Sequence, residues 1–406
     1  MSRSIASTIA VLAISAGAAC SGEKPFVASM DLEPNRAVSN LASPSSVGWQ
    51  QEARTLVGGA GMSPLAASRV YAALGVAQYR AVMKIDDVDT DGQIPEHGVG
   101  AGGRKTLEAR RGAVAGASVQ VLSFFFPTAA KSLAQRVEDE GHAGPGGVHP
   151  QFRRGLAIGR AAGAAMVDRV TGDRFTTPWT GTVPIGPGMW TANGPPAGAT
   201  FGGVLPYFMT SGSQFRPVAP PAFGSEAFTA DLAEIATLAV NLTEEQRAIA
   251  LYWNLPTGTH TPVGYWNAVT ADYIASRAMD ERAATRVFAL TNAAMMDALI
   301  GCWEAKYYYW TLRPSQANAL ISMTFGLPNH PSYPSGHSCV SSSAATVLGH
   351  LFPERKEEVA GWVAEGGLSR MYAGIHYRFD ITAGQDLGRG VGEWAIGHEG
   401  MLLAQP

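Results

Sequence analysis

Five residues that could bind and transform an anion stand in three short stretches of the C-terminal part of the sequence. The first stretch holds Lys306 and Arg313, the second holds His337, and the third holds Arg370 and His376. Lysine and arginine bind oxyanions, and a neutral imidazole serves as nucleophile, metal ligand or proton carrier. We therefore expect these stretches to form an anion-binding catalytic site.

Lys306 and Arg313 lie in the stretch AKYYYWTLRP, and the apolar spacing before it predicts a long helix. Their separation is close to two turns of about 3.6 residues each, so both cations are expected on one helical face. Pro314 is expected to end the helix, because proline disfavours helical geometry in the residue before it. By itself, such a pair is better explained as part of an ordinary solvated helix face.

The stretch PSGH at 334–337 has the residue types of a helix start. Ser335 can cap a helix that begins near Gly336, and the free N–H groups and positive dipole end of that helix attract an anion. A plain Pro-Ser-Gly turn is the alternative, since four such letters often occur together without a function.

In the third stretch, SRMYAGIHYRFD, His376 and Asp380 are spaced like neighbours on one face of a helix. A carboxylate in this position fixes the imidazole tautomer and makes the outward nitrogen a better nucleophile or metal ligand. Together with Arg370, the three stretches predict a pocket for a tetrahedral oxyanion.

This ordered set resembles the three-part signature shared by the type 2 phosphatidic acid phosphatase superfamily and the vanadium-dependent haloperoxidases. The match covers residues 306–380 and includes every fixed position and spacing of the signature. The resemblance implies a helical fold and a site for vanadate, with phosphate as a competing oxyanion. It also implies that the oxygens of the anion are bound by Lys306, Arg313, Ser335, Gly336 and Arg370.

The resemblance implies three further roles. His376 would bond the central atom, as the vanadium ligand or as the nucleophile, and Asp380 would orient His376. His337 would act as the acid or base on the opposite side of the anion. The two histidines argue against an oxyanion-binding protein without turnover, because binding alone needs neither of them.

Two reactions use such a pocket. A haloperoxidase oxidises halide with hydrogen peroxide and passes the halogen to a small organic acceptor, whereas an acid phosphatase forms a phosphohistidine and releases phosphate. The soluble acid phosphatases of the superfamily are much shorter than this chain, and its lipid phosphatases carry transmembrane helices. We therefore favour a haloperoxidase, with an exported phosphatase or phosphoesterase as the alternative.

Two flanking residues bear on the choice of halide. Trp303 resembles a tryptophan beside the halide region of many haloperoxidases, but it also fits a core aromatic on an amphipathic helix. His330 resembles the histidine of algal bromoperoxidases, where the fungal chloroperoxidase has phenylalanine, and it therefore indicates bromide or iodide. The alternative is a surface loop histidine, because LPNHPSYP is rich in turn residues.

The composition is that of a globular protein with a large core, since 46% of the 406 residues are hydrophobic and 16% are charged. A net charge of −3 gives no electrostatic footprint for nucleic acid. Helical spacing dominates and no alternating strand pattern recurs, so the fold class is all-α. We expect two helical bundles, at 49–224 and 225–406, with a covering loop at 172–224 and the oxyanion site in the second bundle.

Residues 1–20 have the early arginine, apolar run and small residues of a signal peptide, which predicts a periplasmic, secreted or envelope-anchored protein. The letters GAAC resemble a lipoprotein signal, so Cys20 is either lipidated or removed with an ordinary leader. Residues 21–48 resemble a flexible tether. No later stretch supplies the roughly 20 consecutive apolar residues of a membrane-spanning helix. Export would permit a disulfide between Cys302 and Cys339, but their apolar surroundings favour free core cysteines.

Overall fold

The described part of the computed structural model comprises residues 44–89, 101–143 and 147–404. Within these ranges the chain forms fourteen α-helices, three short 3-10 turns and no β-strand, which confirms the predicted all-α class. The predicted signal peptide with Cys20, and the tether up to residue 43, lie outside the described residues. None of the described helices is both long enough and apolar enough to cross a membrane.

Five α-helices precede the expected covering loop. They are α1 Ser45–Gly59, α2 Pro64–Asp89, α3 Ala101–Phe125, α4 Ala130–His142 and α5 Pro150–Thr171, with a 3-10 turn at Pro127–Ala129. Because α1 already begins at Ser45, residues 45–48 are helical and do not belong to a flexible tether. Ser63 caps α2 by accepting a hydrogen bond from Ala66 N (3.3 Å) at its Oγ.

Residues 172–224 contain no α-helix and one 3-10 turn, Phe201–Gly203. Backbone hydrogen bonds tie this loop to the borders of the predicted site. Trp190 N donates to Trp310 O (2.7 Å), and Ala197 N donates to Asn329 O (2.9 Å). The loop therefore lies against the chain on both sides of the expected cation cluster.

Nine α-helices follow the loop. They are α6 Glu226–Asn241, α7 Glu244–Tyr252, α8 Thr261–Ser276, α9 Glu281–Tyr309, α10 Pro314–Ala317, α11 Gly336–Leu351, α12 Lys356–Tyr372, α13 Arg378–Gly397 and α14 Met401–Ala404, with a 3-10 turn at Pro353–Arg355. The predicted capping box is present at the start of α7, where Thr243 and Gln246 exchange hydrogen bonds of 3.1 Å.

Helix α9 is the central element of the described fold. Every residue from Val287 to Trp303 is buried, as expected for a helix that is packed on all sides. It contacts α2 from the first group of helices and α8, α11 and α13 from the second. The helix thereby carries its C-terminal residues, including Lys306, into the interior.

A buried carboxylate joins the start of α9 to the start of α1. Glu281 is 3% exposed, and its two carboxylate oxygens accept hydrogen bonds from Ser45 N (2.6 Å) and Ser46 N (2.9 Å). Burial raises the pKa of Glu281 from 4.5 to about 7, against the opposing effect of these hydrogen bonds.

We expect the stability of the protein to report this raised pKa. The folded state binds the Glu281 proton more tightly than the unfolded chain does, so its contribution to the unfolding free energy falls as pH rises from about 4.5 to about 7. Urea unfolding of wild type and Glu281→Gln at pH 5 and pH 7 measures this effect. The stability advantage of wild type over the variant should be larger at pH 5, and an advantage that is equal at both pH values would contradict the raised pKa.

Candidate oxyanion-binding active site

The expected placement of Lys306 and Arg313 on one helical face is wrong. Helix α9 ends just before Trp310, which turns the chain with a left-handed φ of 52°. Arg313 lies beyond this turn as the N-terminal cap of α10, and Pro314 begins α10 and does not end α9. The two cations converge nevertheless, because both are completely buried and both bond to carbonyl oxygens of residues 330–334.

Lys306 is held by the backbone of that segment. Its Nζ donates to Pro331 O (2.9 Å), Ser332 O (2.7 Å) and Pro334 O. An ammonium has three donors, so the lysine uses all of them to hold the segment that leads into Ser335. Burial lowers the pKa of Lys306 from 10.5 to about 8, so the side chain remains mainly cationic at neutral pH.

The predicted helix start at PSGH is confirmed. Ser335 is the N-terminal cap of α11, and its Oγ accepts a hydrogen bond from Ser338 N (3.4 Å). The first N–H groups of a helix have no acceptor within the helix and lie at its positive end, so they are suited to bind an anion. A Cβ atom at Gly336 would lie 3.1 Å from the Trp303 ring, which favours glycine at this position.

His337, in the first turn of α11, is fixed by a main-chain carbonyl. Its Nε2 lies 2.9 Å from Trp253 O, at the end of α7. Because a carbonyl only accepts, Nε2 carries the proton and Nδ1 of the neutral ring has a free lone pair. Burial, aided by the charge of Arg370, lowers the pKa of His337 well below its ordinary value. The ring is therefore neutral and can take up a proton at Nδ1.

His376 makes the predicted contact with Asp380, with 2.8 Å between Nδ1 and Oδ2. The helical explanation of this contact is wrong, because α13 begins at Arg378 and Asp380 reaches back from its first turn. On the opposite side of the ring, Arg313 Nη1 lies 3.1 Å from His376 Nε2. A guanidinium only donates, so Nε2 has the lone pair and Nδ1–H donates to Asp380.

The surroundings keep this histidine neutral and its carboxylate partner ionised. Burial, followed by the charge of Arg313, lowers the pKa of His376 well below its ordinary value. Burial also raises the pKa of Asp380 to about 6, although a hydrogen bond from Ser332 Oγ (2.6 Å) and the charge of Lys306 oppose the rise. At neutral pH the pair is therefore imidazole and carboxylate.

Arg370 adds a third buried cation from α12. It is 1% exposed, its Nε donates to Ser369 Oγ (2.9 Å), and its Nη2 donates to Ala250 O (2.9 Å). The guanidinium lies 5.2 Å from the centre of the Phe325 ring. Burial lowers the pKa of Arg370 to about 9, which leaves it charged at neutral pH.

The donor set fits a bound vanadate or phosphate. Lys306 and Arg313 lie close enough to Asp380 for their charges to oppose the rise in its pKa, and the charge of Arg370 lowers the pKa of His376. With all three cations buried, the group carries an excess of positive charge. Burying such charge is costly unless an opposite charge compensates it, and a tetrahedral oxyanion provides that compensation. His376 Nε2 offers a lone pair to the central atom, as imidazole does to many transition metals.

Trp303 and His330 lie side by side next to this group, with 5.0 Å between their ring centres. Lys306 Nζ is 5.6 Å from the centre of the Trp303 ring, and Arg313 Nη2 is 3.1 Å from His330 Nδ1. His330 is therefore a partner of a site cation and not a separate surface histidine. Trp303 Nε1 donates to Ala197 O (3.2 Å), so the covering loop reaches the same pair.

Cys302 and Cys339 are both buried and free, which confirms their interpretation as core cysteines. Cys302 Sγ lies 3.7 Å from Pro334 O, the carbonyl that also accepts from Lys306 Nζ. The thiol therefore packs behind the segment that leads into α11.

Two contributors to the site were missed from the sequence. Ser332 supports Asp380 from the side, and Trp253 holds His337 through its main-chain oxygen. A serine in a turn-rich stretch has many other uses, and a carbonyl acceptor has no residue-type signature. Neither contact has a signal in the local sequence pattern.

Sequence comparison relates part of the chain to known proteins. Residues 285–397 match the model of the PAP2 superfamily. Over 105 residues the chain is 35% identical to the non-specific acid phosphatase of Salmonella typhi and 34% identical to that of Salmonella typhimurium. The matched region is 24% of this chain and 41% of each phosphatase, so the chain spans about two fifths of the length of these relatives.

The fold is similar to solved structures of bacterial vanadium-dependent haloperoxidases. An iodoperoxidase aligns with a TM-score of 0.72 and 23% identity over 87% of this chain and 95% of its own. An apo-type chloroperoxidase aligns with a TM-score of 0.66 and 16% identity over 84% of this chain and 95% of its own. The resemblance predicted from the three stretches is thereby confirmed: residues 285–397 carry the PAP2 superfamily pattern, within a helical fold shared with vanadium-dependent haloperoxidases.

Proposed function

We propose that this protein is a vanadium-dependent haloperoxidase that oxidises iodide or bromide with hydrogen peroxide and passes the halogen to a small organic acceptor. His376, whose Nδ1 is held by Asp380 while its Nε2 faces Arg313, provides the kind of site that this reaction requires. The observation that carries the choice of a haloperoxidase is the similarity to an iodoperoxidase over 87% of the chain, since the similarity to acid phosphatases covers 24%.

In this proposal, bound vanadate supplies the Lewis-acid chemistry that activates peroxide toward halide. His376 would hold the group through Nε2, with Asp380 keeping the ring in the required tautomer. Arg370 and the N–H groups at the start of α11 would donate to its oxygens. Arg313 would do so by giving up its bond to His376 Nε2, and the buried charge of Lys306 would further stabilise the anion.

His337 moves the proton. Its Nδ1 would accept one proton from hydrogen peroxide and would donate that proton to the oxygen that leaves as water. The hydrogen bond from Nε2 to Trp253 O holds the ring in place during both transfers. Because the free imidazole is neutral, its Nδ1 is ready to accept without prior deprotonation.

The halide approaches beside Trp303 and His330. His330 Nδ1 lies 3.1 Å from Arg313 Nη2 and 3.3 Å from Pro331 O. When Nδ1 accepts from Arg313, the shorter of these two contacts, Nε2–H is the donor of this ring to a halide ion. The indole of Trp303 provides a large polarisable face next to the Lys306 charge. A large, weakly hydrated anion such as iodide or bromide suits these surroundings better than chloride does.

An acid phosphatase is the second candidate, favoured by the 35% identity to the Salmonella typhi enzyme over 105 residues. In that reaction His376 Nε2 attacks phosphorus to form a phosphohistidine, and His337 protonates the leaving alcohol. The tautomers described above serve this chemistry too, so a direct assay has to separate the two reactions.

The first test measures both reactions in one preparation. We expect the vanadate-loaded protein to brominate a phenol dye with peroxide, and to hydrolyse a chromogenic phosphate slowly or not at all. His376→Ala should abolish bromination because it removes the vanadium ligand. The control is His350→Ala, which removes an exposed histidine near the far end of α11 and should leave activity unchanged. Phosphate hydrolysis without bromination, lost in His376→Ala, would contradict the haloperoxidase proposal.

Replacing His337 should separate binding from turnover. We expect His337→Ala to bind vanadate with nearly wild-type affinity in calorimetry, because the cations and His376 remain. Its kcat for bromination should fall by about 10²- to 10⁴-fold, the usual loss when a general acid or base is removed. Complete loss of vanadate binding would show that His337 acts as a ligand or structural support, and not as the proton carrier.

Replacing His330 should change halide preference. His330→Phe removes the donor that faces the halide, and a hydrogen bond to a charged group contributes about 1.5–3 kcal/mol. That loss alone weakens the binding of every halide, but the fungal chloroperoxidase that this sequence resembles has phenylalanine at this position. We therefore expect kcat/KM for bromide and iodide to fall more than kcat/KM for chloride, whereas the control His350→Phe keeps wild-type ratios. An equal loss of kcat/KM for chloride, bromide and iodide would contradict a role in halide choice and would instead indicate that the substitution disturbs Arg313.

A further inference from the structure

Ser332 connects the first and the third of the stretches that form the site. Its main-chain N donates to Thr311 O (2.9 Å), its carbonyl accepts from Lys306 Nζ (2.7 Å), and its Oγ donates to Asp380 Oδ2 (2.6 Å). The residue is completely buried. Ser332 therefore joins the chain before Arg313, the buried lysine and the carboxylate of the histidine pair.

The hydroxyl of Ser332 is well placed to fix the orientation of the carboxylate. Asp380 Oδ2 also accepts from His376 Nδ1 (2.8 Å) and Tyr377 N (3.1 Å). The second oxygen, Oδ1, is buried and has no hydrogen-bond partner in the described part of the chain. The three donors to Oδ2 therefore determine how the carboxylate faces the imidazole. Of the two side chains among them, His376 is the residue to be oriented, so Ser332 is the one that can orient the carboxylate independently.

We propose that Ser332 is a positioning residue for His376, acting through Asp380 and not through contact with the anion. Hydrogen bonds one step removed from a metal ligand fix the tautomer and ring orientation of that ligand. The inference rests on the proposed function only in requiring that the site binds a tetrahedral oxyanion, which the haloperoxidase and the phosphatase both do.

The side chain of Ser332 can be tested apart from its backbone. The bonds to Thr311 and Lys306 use main-chain atoms, so they remain available in Ser332→Ala, and only the hydroxyl bond to Asp380 is removed. Ser343→Ala is the matched control. Ser343 is also completely buried, lies in α11, and its Oγ has no hydrogen-bond partner among the described residues.

Orthovanadate and inorganic phosphate are the probes for binding by the full-length protein. We expect Ser332→Ala to weaken vanadate binding several-fold, by less than the roughly tenfold or larger loss that follows removal of the direct partner of a metal ligand. Ser343→Ala should bind like wild type. Ser332→Thr keeps the hydroxyl and should bind more tightly than Ser332→Ala. Equal vanadate affinities of Ser332→Ala and the control Ser343→Ala would overturn the proposal.

Nitrogen NMR of histidine-labelled protein gives a readout that does not depend on catalysis. With the His376 signals assigned from His376→Ala, wild type should show the proton on Nδ1, and Ser332→Ala should keep this tautomer because Arg313 still donates to Nε2. The Nδ1–H signal should nevertheless shift in Ser332→Ala, because the carboxylate that accepts this proton is no longer held by the serine. An unchanged Nδ1–H signal in Ser332→Ala overturns the positioning role. If the alanine variant does not fold, Ser332→Cys replaces it, and a wild-type Nδ1–H signal together with wild-type vanadate affinity in that weak-donor variant overturns the role equally.

These readouts separate failure of the inference from failure of the proposed function. A wild-type protein that binds neither vanadate nor phosphate contradicts the proposed site as a whole. In that case the NMR comparison still decides whether Ser332 controls the His376 ring. Normal anion binding with no bromination contradicts the haloperoxidase alone.

Discussion

The excess of buried positive charge is the constraint on which the rest of this structure depends. Lys306, Arg313 and Arg370 are almost completely removed from solvent, and charge in that position is tolerated only with hydrogen-bond acceptors and a compensating anion. Carbonyl oxygens supply many of the acceptors, three of them for Lys306 alone. Asp380 compensates part of the charge, and a tetrahedral oxyanion would compensate more.

The fold meets this constraint by bringing helix ends and loops, not helix faces, to one place. Helix α9 ends beside the cations, α11 begins there with its N–H groups, and α13 begins there with Asp380. The covering loop closes over Trp303 through Ala197. Rigid packing along α9 fixes these ends, while the chemistry is performed by the residues just outside the helices.

Signals that act within a few residues could be predicted from the sequence, and signals that depend on the fold could not. Ser335 was recognised as a helix cap because capping involves only its near neighbours. The prediction that Lys306 and Arg313 share a helical face was wrong because α9 ends just before Trp310. The carbonyl of Trp310 accepts a hydrogen bond from the covering loop. The roles of Ser332 and the Trp253 carbonyl could not be predicted, since both act on residues more than forty positions away.

The most direct test of the central claim is a crystal structure of the protein loaded with orthovanadate. We expect vanadium to be bonded to His376 Nε2. The vanadate oxygens should lie in hydrogen-bond contact with Arg313, Arg370 and the first N–H groups of α11. Vanadate bound elsewhere, or a His376 that still bonds only Arg313 and Asp380 at saturating vanadate, would contradict it.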